Sequence, residues 1–503
     1  MIKMIRKISI VLFLSFIVAC SSKKENDFLR LPVVGIIQNN EVPILIKTIS
    51  EGKVRIEYKK NDESPSAFTK WQTLTKTNLL TSNLFLSNLD YSTDYKYRVE
   101  FDEGNYSKWF VFKTLPKQGE PGIFNFVFSA CLRQKYMGYD IFTQIKSHNP
   151  NFVALLGDQM YADYDGNVNI LESYLSNDSL REALALKEEM ILDDKTVLDA
   201  FRSKYSRVYY KEGFQNMASS IPLLAIWDDH DYGEDNSDKT YRYKDEAKIA
   251  FKENFPQYPF EQNDEGIYYK IKIADVDIFV LDTRWYRSRM DEEDGKNKTM
   301  LGDKQLHWLF DGIKNSNSKF KIIISSVSMN DYGGDTSSDK DGIDNWKGYK
   351  FERNKILSLI NDKNIKGVLV FSGDQHYPSA HILNWKRPLI PLSRNDKSIE
   401  YSLSNLGNAV FDFSASPLSY KTATGTALRI SDQENPLISY EVYRPEWGKP
   451  ENDKNDGKIN LASVFGAAEI DTKSVPAKVT MKFFEYDKNT LAMMETYKII
   501  ISE

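Results

Sequence analysis

The sequence lacks several features that would define its class. Apart from the N-terminus, it has no apolar run long enough to cross a bilayer. It has no excess of basic residues, because 71 acidic residues slightly outnumber 66 lysines and arginines, so no nucleic-acid groove is expected. It also has no internal repeat and no low-complexity block. A chain of 503 residues with this composition is expected to form a soluble body of about two or three domains.

The N-terminus has the pattern of an export signal. A basic flank precedes the apolar run Ile8–Ala19, which is too short to span a bilayer comfortably, and Cys20 follows directly. Ile17–Cys20 resembles the bacterial lipobox, in which the cysteine is acylated and becomes the first mature residue. The alternative is an ordinary secretory signal that happens to contain this cysteine. We therefore expect a signal peptide over 1–19, a tether over 20–30, and an exported lipoprotein held by lipid at a membrane, in the periplasm or at the cell surface.

Cysteine is scarce, with two residues in the chain. If Cys20 is acylated, Cys131 is the only thiol left and no internal disulfide can form. A lone thiol in an exported protein is either a buried small apolar group or a ligand. The strand–helix–strand spacing from Phe124 to Leu156 predicts a βαβ unit, whose parallel strands have their carboxyl ends together. That geometry places Cys131 beside Asp158 and favours the ligand role.

The region before this unit is rich in short β-type segments. Turn residues separate these segments between residues 31 and 117, which predicts a small β-sandwich of the immunoglobulin or fibronectin III-like kind. Asn88–Val99 resembles a stretch of fibronectin type III-like modules. No catalytic constellation is found there. Pro116–Gly122 then predicts a linker, and a second domain is expected over 123–503.

Three predicted buried strands of the second domain end in acidic or histidine residues. Asp158 follows the first strand, Asp228–Asp231 follow the second, and Asp374 and His376 follow the third. The carboxyl ends of buried strands are where α/β folds place their chemistry. Asp158 alone could cap a helix after a turn glycine. Three such endings together are typical of a metal site.

The segments between these motifs give a coarse prediction of the remaining fold. A mostly helical stretch is expected over 167–220, and a loop rich in glycine, aspartate and serine is expected near the site over 331–345. Ile399–Leu403 and Val410–Ser414 are expected to form a strand pair, and the C-terminus is expected to form a closing hairpin.

The ordered motifs are similar to those of the alkaline phosphatase D-like (PhoD-like) branch of the calcineurin-type metallophosphoesterases. Those motifs are Ser129–Cys131, Gly157–Tyr161, Asp228–Asp231, Asp282–Arg284 and Gly373–His376. The resemblance begins near residue 124 and continues to the C-terminus. It implies an α/β fold, a four-layer sandwich of two mixed sheets flanked by helices, preceded by the small all-β sandwich domain.

The resemblance also implies two or more metal ions, namely Fe(III) and Ca²⁺. It implies six protein ligands: Cys131, Tyr161 and His376 on the ferric ion, Asp229 and Asp374 on the second ion, and Asp158 bridging both. At Asp229 and Asp374 the commoner superfamily pattern has neutral ligands. Carboxylate ligands favour Ca²⁺, Mg²⁺ or Mn²⁺ over Zn²⁺ there, although Zn²⁺ stays an alternative.

The implied reaction is hydrolysis of phosphate monoesters or diesters by a hydroxide activated by two metals. His230 is the candidate general acid for the leaving group, and its alternative role is a metal ligand or a support for one. Arg284 is the candidate cation for the phosphate, and its alternative is an ion pair with Asp282.

Two rival functions stay open. One is a non-catalytic surface protein that binds a glycan or a protein on the same scaffold. The other is a phospholipase or a teichoic-acid-type phosphodiesterase, and the loops 232–240 and 331–349 would decide that preference. The remaining histidines, which have no motif around them, are expected to be structural or exposed: His148, His307 and His381.

The export signal generates a first prediction. We expect mass spectrometry of the protein from its native host to show a mature chain that begins at an acylated Cys20. Replacement of Cys20 by Ser should leave the protein unacylated and release it from membranes. An unmodified Cys20 inside an intact N-terminus would contradict the lipobox interpretation.

Overall fold

The structure, a computed structural model, describes residues 28–36, 40–102, 104–133, 141–163, 193–262, 265–331, 343–385, 397–421, 438–445, 461–487, 490 and 492–503. Cys20, much of the predicted helical stretch and most of the predicted loop 331–345 lie outside these ranges. Within them, no helix has the length and hydrophobicity needed to cross a membrane.

An all-β region forms the N-terminal part of the described chain, as the sequence predicted. Its strands are β1 (Phe28–Val34), β2 (Val42–Thr48), β3 (Gly52–Lys59), β4 (Ala67–Phe68), β5 (Gln72–Leu74), β6 (Thr81–Leu86), β7 (Asp94–Phe101), β8 (Asn105–Tyr106) and β9 (Phe110–Lys113). They form a β1-β2-β6 sheet and a second sheet around β3 and β7. Tyr95, Tyr97 and Val99 alternate with more exposed residues along β7, as a half-buried strand requires.

The rest of the described chain alternates strands with helices. Its strands are β10 (Ile123–Ser129), β11 (Phe152–Leu156), β12 (Leu223–Ile226), β13 (Tyr269–Ile273), β14 (Val276–Val280), β15 (Phe320–Ile324), β16 (Val368–Ser372), β17 (Ser379–Trp385), β18 (Ser398–Ser402), β19 (Val410–Ser414), β20 (Tyr420–Lys421), β21 (Ile438–Tyr443), β22 (Leu461–Ala462), β23 (Val464–Asp471), β24 (Lys478–Asp487) and β25 (Ala492–Ser502). Its α-helices are α1 (Ile141–Ser147), α2 (Asp194–Tyr209), α3 (Glu212–Ala218), α4 (Asp229–Tyr232), α5 (Lys244–Asn254), α6 (Gly302–Lys314), α7 (Lys350–Asp362) and α8 (Leu403–Leu406).

Most of these strands belong to two mixed sheets of seven strands each. The first sheet has the order β12-β11-β10-β23-β24-β25-β18, and the second has the order β13-β14-β15-β16-β19-β17-β21. β10, β11 and β12 are parallel, as the predicted βαβ unit requires. β14, β15, β16 and β19 are parallel in the second sheet. The site motifs therefore lie at the carboxyl ends of parallel strands in both sheets.

The two sheets pack face to face through aromatic side chains. The Phe371 ring on β16 lies edge-on to Phe126 and Phe128 on β10, with centroid separations of 5.0 and 4.9 Å. Helices α6 and α7 form a second buried cluster on the outer face of the second sheet. Helices α1 and α3 pack beside the first sheet, where the Phe142 and Phe214 rings meet edge-on. The predicted four-layer sandwich is confirmed.

One predicted pairing is wrong. β18 and β19 do not pair with each other, because they belong to different sheets. Tyr401 of β18 pairs in parallel with Ile501 of β25, whereas Phe411 of β19 pairs with Leu369 of β16. Both strands pair with partners distant in the chain, and alternation along a strand does not identify its partner.

The β-rich N-terminal region is bonded to the rest of the chain at several points. The Arg30 side chain donates to the Asn254 carbonyl at 3.0 Å, and the Tyr97 hydroxyl donates to the Ser219 carbonyl at 2.9 Å. The predicted linker also makes defined bonds, since Gly119 N–H donates to the Ala274 carbonyl at 2.7 Å. These contacts fix helices α3 and α5, which flank strand β12, against the N-terminal strands.

Candidate metal centre

The predicted ligands from four strand ends meet at one edge of the sandwich. Cys131, Asp158 and His376 form one compact group, and Asp158, Asp229 and His230 form another. Within each group, the candidate ligand atoms all lie within 4.8 Å of one another. Asp158 belongs to both groups, which is the placement that its predicted bridging role requires.

Backbone hydrogen bonds hold the segments that carry Cys131 and Asp158 together. The Cys131 N–H donates to the Gly157 carbonyl at 3.2 Å, and the Leu132 N–H donates to the Asp158 carbonyl at 2.8 Å. The Asp231 carboxylate accepts from the N–H groups of Gln159 and Met160 at 2.9 and 3.0 Å. The β11 loop is therefore positioned by both neighbouring strand ends, and Asp231 has a supporting role that the sequence did not reveal.

Four of the predicted ligands have a left-handed backbone. The φ angles are 62° at Cys131, 54° at Asp158, 63° at Asp374 and 57° at His376. A residue with a Cβ in this region pays roughly 1–2 kcal/mol of strain. Such strain persists where the surrounding structure holds it and is concentrated at functional sites. The left-handed conformation turns the chain sharply at the end of each strand, so that successive side chains can face the candidate metal centre.

Two glycines permit the close approach of these turns. Gly157 has a φ of 102°, and a Cβ added there would lie 2.5 Å from the Asp228 Cβ. A Cβ added at Gly373 would lie 2.3 Å from the Ala130 Cβ. Real Cβ atoms do not approach so closely, so each Gly-Asp motif needs its glycine for packing, at Gly157 against the next strand end of the same sheet and at Gly373 against the other sheet.

The donor set fits metal ions. Asp158 Oδ1 and Asp229 Oδ1 are buried and accept no hydrogen bond from the described residues. Burial raises the pKa of Asp158 well above its usual range, and the nearby Asp229 raises it further. Burial raises the pKa of the Cys131 thiol, with Asp158 adding to the effect. Buried acceptors of one charge sign need cations nearby, and carboxylate with thiolate ligands suits a hard or borderline metal.

The surroundings of His376 favour the neutral form of its imidazole. Burial lowers its pKa to about 3, and the neighbouring His230 contributes. A neutral imidazole is the form that binds metal ions. Its backbone N–H donates to the Ser416 hydroxyl at 2.9 Å, which holds the turn that carries the ring.

His230 is oriented by a carboxylate that sequence reasoning missed. Its Nδ1 lies 2.6 Å from Asp163 Oδ1, and its Nε2 lies 3.6 Å from Asp235 Oδ1. The other Asp163 oxygen accepts from the Asp235 N–H at 2.9 Å. Asp163 lies two residues beyond the predicted ligand Tyr161, and its proximity to the motif was the one available signal. The structure therefore contains a carboxylate–histidine pair beside the candidate ligands.

Asp228 and Asp229 are adjacent in the chain but have different surroundings. Asp228 Oδ1 accepts from Arg284 Nε at 2.6 Å and from the Ser326 hydroxyl at 2.7 Å. Asp229 belongs to the compact group, its Oδ1 lies farther from Arg284, 3.7 Å from Nη2, and its Oδ2 accepts from the Asn236 N–H at 2.7 Å. This supports Asp229, as predicted from the motif, as the candidate ligand.

Arg284 does not lie where a phosphate ligand should. Its side chain is 0% exposed, and its guanidinium also binds both oxygens of Asp344 at 2.9 and 2.8 Å. Asp282 accepts from the backbone N–H of Arg284, not from the guanidinium, in the bonds described. Neither sequence interpretation of Arg284, as a phosphate-binding cation or as an ion-pair partner of Asp282, therefore fits its position. Carboxylates from distant parts of the chain occupy the guanidinium, which gives Arg284 a buried supporting role.

The remaining predicted residues are distributed as follows. The Tyr161 ring is buried and lies 4.2 Å from the His230 ring, centroid to centroid. Asp374 lies at the same edge, where its carbonyl oxygen is 3.7 Å from the Cys131 sulfur, although its carboxylate is not part of either compact group. The ligand roles of Tyr161 and Asp374 stay predictions. The histidines without motifs lie elsewhere, half-buried, exposed or within a sheet: His148, His307 and His381.

Comparison with solved structures shows the fold of this chain in other proteins. A solved structure of PhoD superposes with a TM-score of 0.66 at 16% identity, covering 94% of this chain and 92% of that one. A purple acid phosphatase from yellow lupin (Lupinus luteus) seeds superposes with a TM-score of 0.58 at 11% identity, covering 94% and 74%. The fold is thus that of the metallophosphoesterases.

The sequence comparisons define the family within that class. The family model described as PhoD-like phosphatase matches residues 126–475. Alkaline phosphatase D of Bacillus subtilis (strain 168) is 23% identical over 291 residues, which cover 52% of this chain and 48% of that protein. The match thus spans about half the length of that curated relative. The chain belongs to the PhoD-like phosphatase family.

The close approach at Gly157 generates a second prediction. Gly157→Ala should lower the free energy of unfolding by about 2–5 kcal/mol, from left-handed strain plus overpacking against Asp228. Gly104→Ala is a matched control, because Gly104 has a φ of 101° with nothing within 4 Å of the added Cβ. The control should lose only about 1–2 kcal/mol, from strain alone. Urea unfolding measures both, and equal losses would contradict the packing argument.

Proposed function

We propose that this protein is a metal-dependent phosphoesterase that hydrolyses phosphate monoesters, diesters or both. The observation that carries the proposal is the pair of compact ligand groups sharing Asp158, in a chain of the PhoD-like phosphatase family. A non-catalytic binding protein would not need the unbonded carboxylate oxygens together with a histidine held by Asp163. The phosphate ester is therefore the proposed substrate class.

The proposed metal ligands combine members of the two groups with Tyr161 and Asp374, which the family resemblance adds. Cys131, His376 and Tyr161 would hold a ferric ion, and Asp229 with Asp374 would hold Ca²⁺, with Mn²⁺, Mg²⁺ and Zn²⁺ as alternatives. Asp158, which belongs to both groups, would contribute to both ions. Bound cations would lower the pKa of a water molecule and neutralise charge on the transferring phosphoryl group.

The chain itself would supply the proton for the leaving group. Asp163 holds His230 through Nδ1 at 2.6 Å, so that Nε2 is the nitrogen that can donate a proton to the departing oxygen. The Asp163 carboxylate stabilises the protonated imidazole electrostatically. Asp163 is thus a positioning residue, and His230 is the proposed general acid.

The proposed location is a membrane surface outside the cytoplasm. The lipobox-like stretch that ends at Cys20 supports this proposal, together with the tether that would follow it. A phosphate ester and the membrane, reached through the N-terminal lipid anchor, are the proposed partners. The acidic balance of the chain gives no support to nucleic-acid binding.

The reaction generates a third prediction. Metal-replete protein should hydrolyse p-nitrophenyl phosphate, bis-p-nitrophenyl phosphate or both, and chelators should abolish the activity. Elemental analysis should detect iron, and a ferric ion bound to Tyr161 or Cys131 should give a visible charge-transfer band. Protein that retains its metals yet hydrolyses neither ester would favour the binding-protein alternative instead.

The general acid generates a fourth prediction. His230→Ala should lower kcat by about 10²–10⁴-fold with alkyl phosphates, and by less with nitrophenyl phosphates, whose leaving group hardly needs a proton. Asp163→Asn should show the same leaving-group trend with a smaller loss. His307→Ala is the control, because that histidine is exposed and bonded within its own helix. The measurement is kcat with both ester types, together with metal content.

The alternative role of His230 has a different outcome. If His230 is a metal ligand, its removal should deplete the metal and reduce the two rates equally. That result would rule out the general-acid assignment and leave the phosphoesterase proposal standing.

A further inference from the structure

One buried arginine lies among three carboxylates at the strand ends. The Nε and Nη2 atoms of Arg284 lie 2.6 Å from Asp228 Oδ1, and its Nη1 and Nη2 donate to the two Asp344 oxygens at 2.9 and 2.8 Å. Nη1 also donates to the Ser237 carbonyl at 3.3 Å. The separation of Nη2 from Asp229 Oδ1 is 3.7 Å, which is beyond hydrogen-bond distance. Arg284 therefore bonds two of the carboxylates and approaches the third, a proposed metal ligand, without bonding it.

Asp229 Oδ1 is accessible to two competing cations. It is buried and accepts no hydrogen bond from the described residues, whereas Oδ2 accepts from the Asn236 N–H at 2.7 Å. A charge-assisted bond between a guanidinium and a carboxylate is about 2.7–2.9 Å long, so a shift of Arg284 by about 1 Å would form one. That bond would place a fixed positive charge on the oxygen that the metal ion needs. Because charges interact strongly in a buried site, the affinity for the metal ion would fall.

The bonds from Arg284 to Asp344 oppose this shift. Nη2, the nitrogen that lies 3.7 Å from Asp229, already donates to Asp344 Oδ2 at 2.8 Å. With the second bond from Nη1, Asp344 binds the guanidinium bidentately, which fixes the plane of the group as well as its position. If Asp344 lost its charge, the attraction that competes with Asp229 for Nη2 would be weakened.

Asp344 is itself held in place. It is buried, and its Oδ1 lies 2.8 Å from Arg287 Nη2. The next two residues bond the segment just beyond β15: the Asn345 side chain donates to the Ser328 hydroxyl at 3.2 Å, and the Trp346 N–H donates to the Ser328 carbonyl at 3.3 Å. Asp344 is thus tied to a strand end of the second sheet, and its carboxylate is a fixed partner for Arg284.

We propose that Asp344 is a positioning residue for the second metal ion, because it holds Arg284 away from Asp229 Oδ1 and keeps that oxygen available as a ligand. Arg284 and Arg287 supply two positive charges to three carboxylates, so one negative charge is left over, and the distances assign it to Asp229. The inference rests on the proposed function and deepens it by naming a residue that sets the affinity of the second metal position. The ligands proposed for the ferric ion come from other strand ends, so iron binding should not depend on Asp344.

The test compares Asp344→Asn and Asp344→Glu with the wild-type protein, each loaded with iron and titrated with Ca²⁺ in a calorimeter. Asp344→Asn removes the charge at nearly constant volume, so Arg284 should move to Asp229. The affinity for Ca²⁺ should then fall by about 10- to 100-fold, as expected for the loss of one interaction with a charged group. Asp344→Glu keeps the charge and should recover part of the affinity. Iron content should be unchanged in both variants.

Two further comparisons separate this role from a general loss of stability. Asp291→Asn is the matched control, because Asp291 also binds an arginine through two bonds, at 3.0 and 2.8 Å, but on the exposed surface. It should leave the Ca²⁺ affinity unchanged. If Asp344 acts through Arg284, then Asp344→Asn should change the Ca²⁺ affinity by less than about twofold when Arg284 is already replaced by Met, as a double-mutant cycle measures. Thermal unfolding of every variant shows whether it is folded.

The outcomes decide the role of Asp344. Weaker Ca²⁺ binding in folded Asp344→Asn, with iron retained and no further loss on the Arg284→Met background, supports the proposal. Unchanged Ca²⁺ binding overturns it. Equal losses on both backgrounds, or a parallel loss of iron, also overturn it. If Asp344→Asn does not fold, Asp344→Glu must fold and bind Ca²⁺ more tightly than Arg284→Met/Asp344→Asn, or the proposal fails.

Failure of the proposed function has a different signature. Wild-type protein that holds both ions but hydrolyses neither ester contradicts the phosphoesterase proposal, while the Ca²⁺ titrations, which need no turnover, still decide the role of Asp344. Wild-type protein that binds no Ca²⁺ beside its iron contradicts the positioning role whether or not it is active.

Discussion

Electrostatic repulsion among buried acids is the constraint on which the rest of this structure depends. The Cys131 thiol and the Asp229 carboxylate each have a ligand atom within 4.8 Å of an Asp158 oxygen, and all three residues are buried. Burial alone raises the pKa of Asp158 and Cys131, and each neighbouring carboxylate raises it further. Such a cluster is stable when cations compensate it, because an uncompensated buried charge costs several kcal/mol. The edge of the sandwich is therefore built to be completed by metal ions.

Arginine side chains of the protein compensate part of this negative charge on one side of the candidate metal centre. Asp344 lies between Arg284 and Arg287, and Arg284 also binds Asp228, so the carboxylates behind the ligands are neutralised by fixed guanidinium groups. Asp229 Oδ1 lies 3.7 Å from Arg284 and accepts no hydrogen bond from the described residues, so it can contribute to the centre. Burial raises the pKa of Asp228 to about 6, an effect that Arg284 opposes. The different roles of the adjacent Asp228 and Asp229 thus have an electrostatic cause.

Close packing sets a second constraint on the same edge. The two Gly-Asp turns approach neighbouring residues closely enough to exclude a Cβ, at Gly157 against Asp228 in the same sheet and at Gly373 against Ala130 of the other sheet. The left-handed conformation of Asp158 stores strain that the aromatic contacts between the sheets must hold in place. The stability of the core and the geometry of the site are therefore linked, because weaker packing of the sheets would free the turns that orient the ligands.

The four-layer sandwich was predicted only from the resemblance of the motifs to those of a known family. The sequence pattern itself predicted the parallel β10–β11 pair and the strand ends that meet at the site, because apolar runs ending in acids show where buried strands stop. It did not determine the partner of β18, nor the roles of Asp163 and Arg284. Only the tertiary structure decided these, because their partners come from other elements: Asp228 lies 56 residues from Arg284, and His230 lies 67 residues from Asp163. Local patterns specify which residues are buried and where a strand ends, whereas the charge that a buried side chain meets depends on which distant strands pack against it.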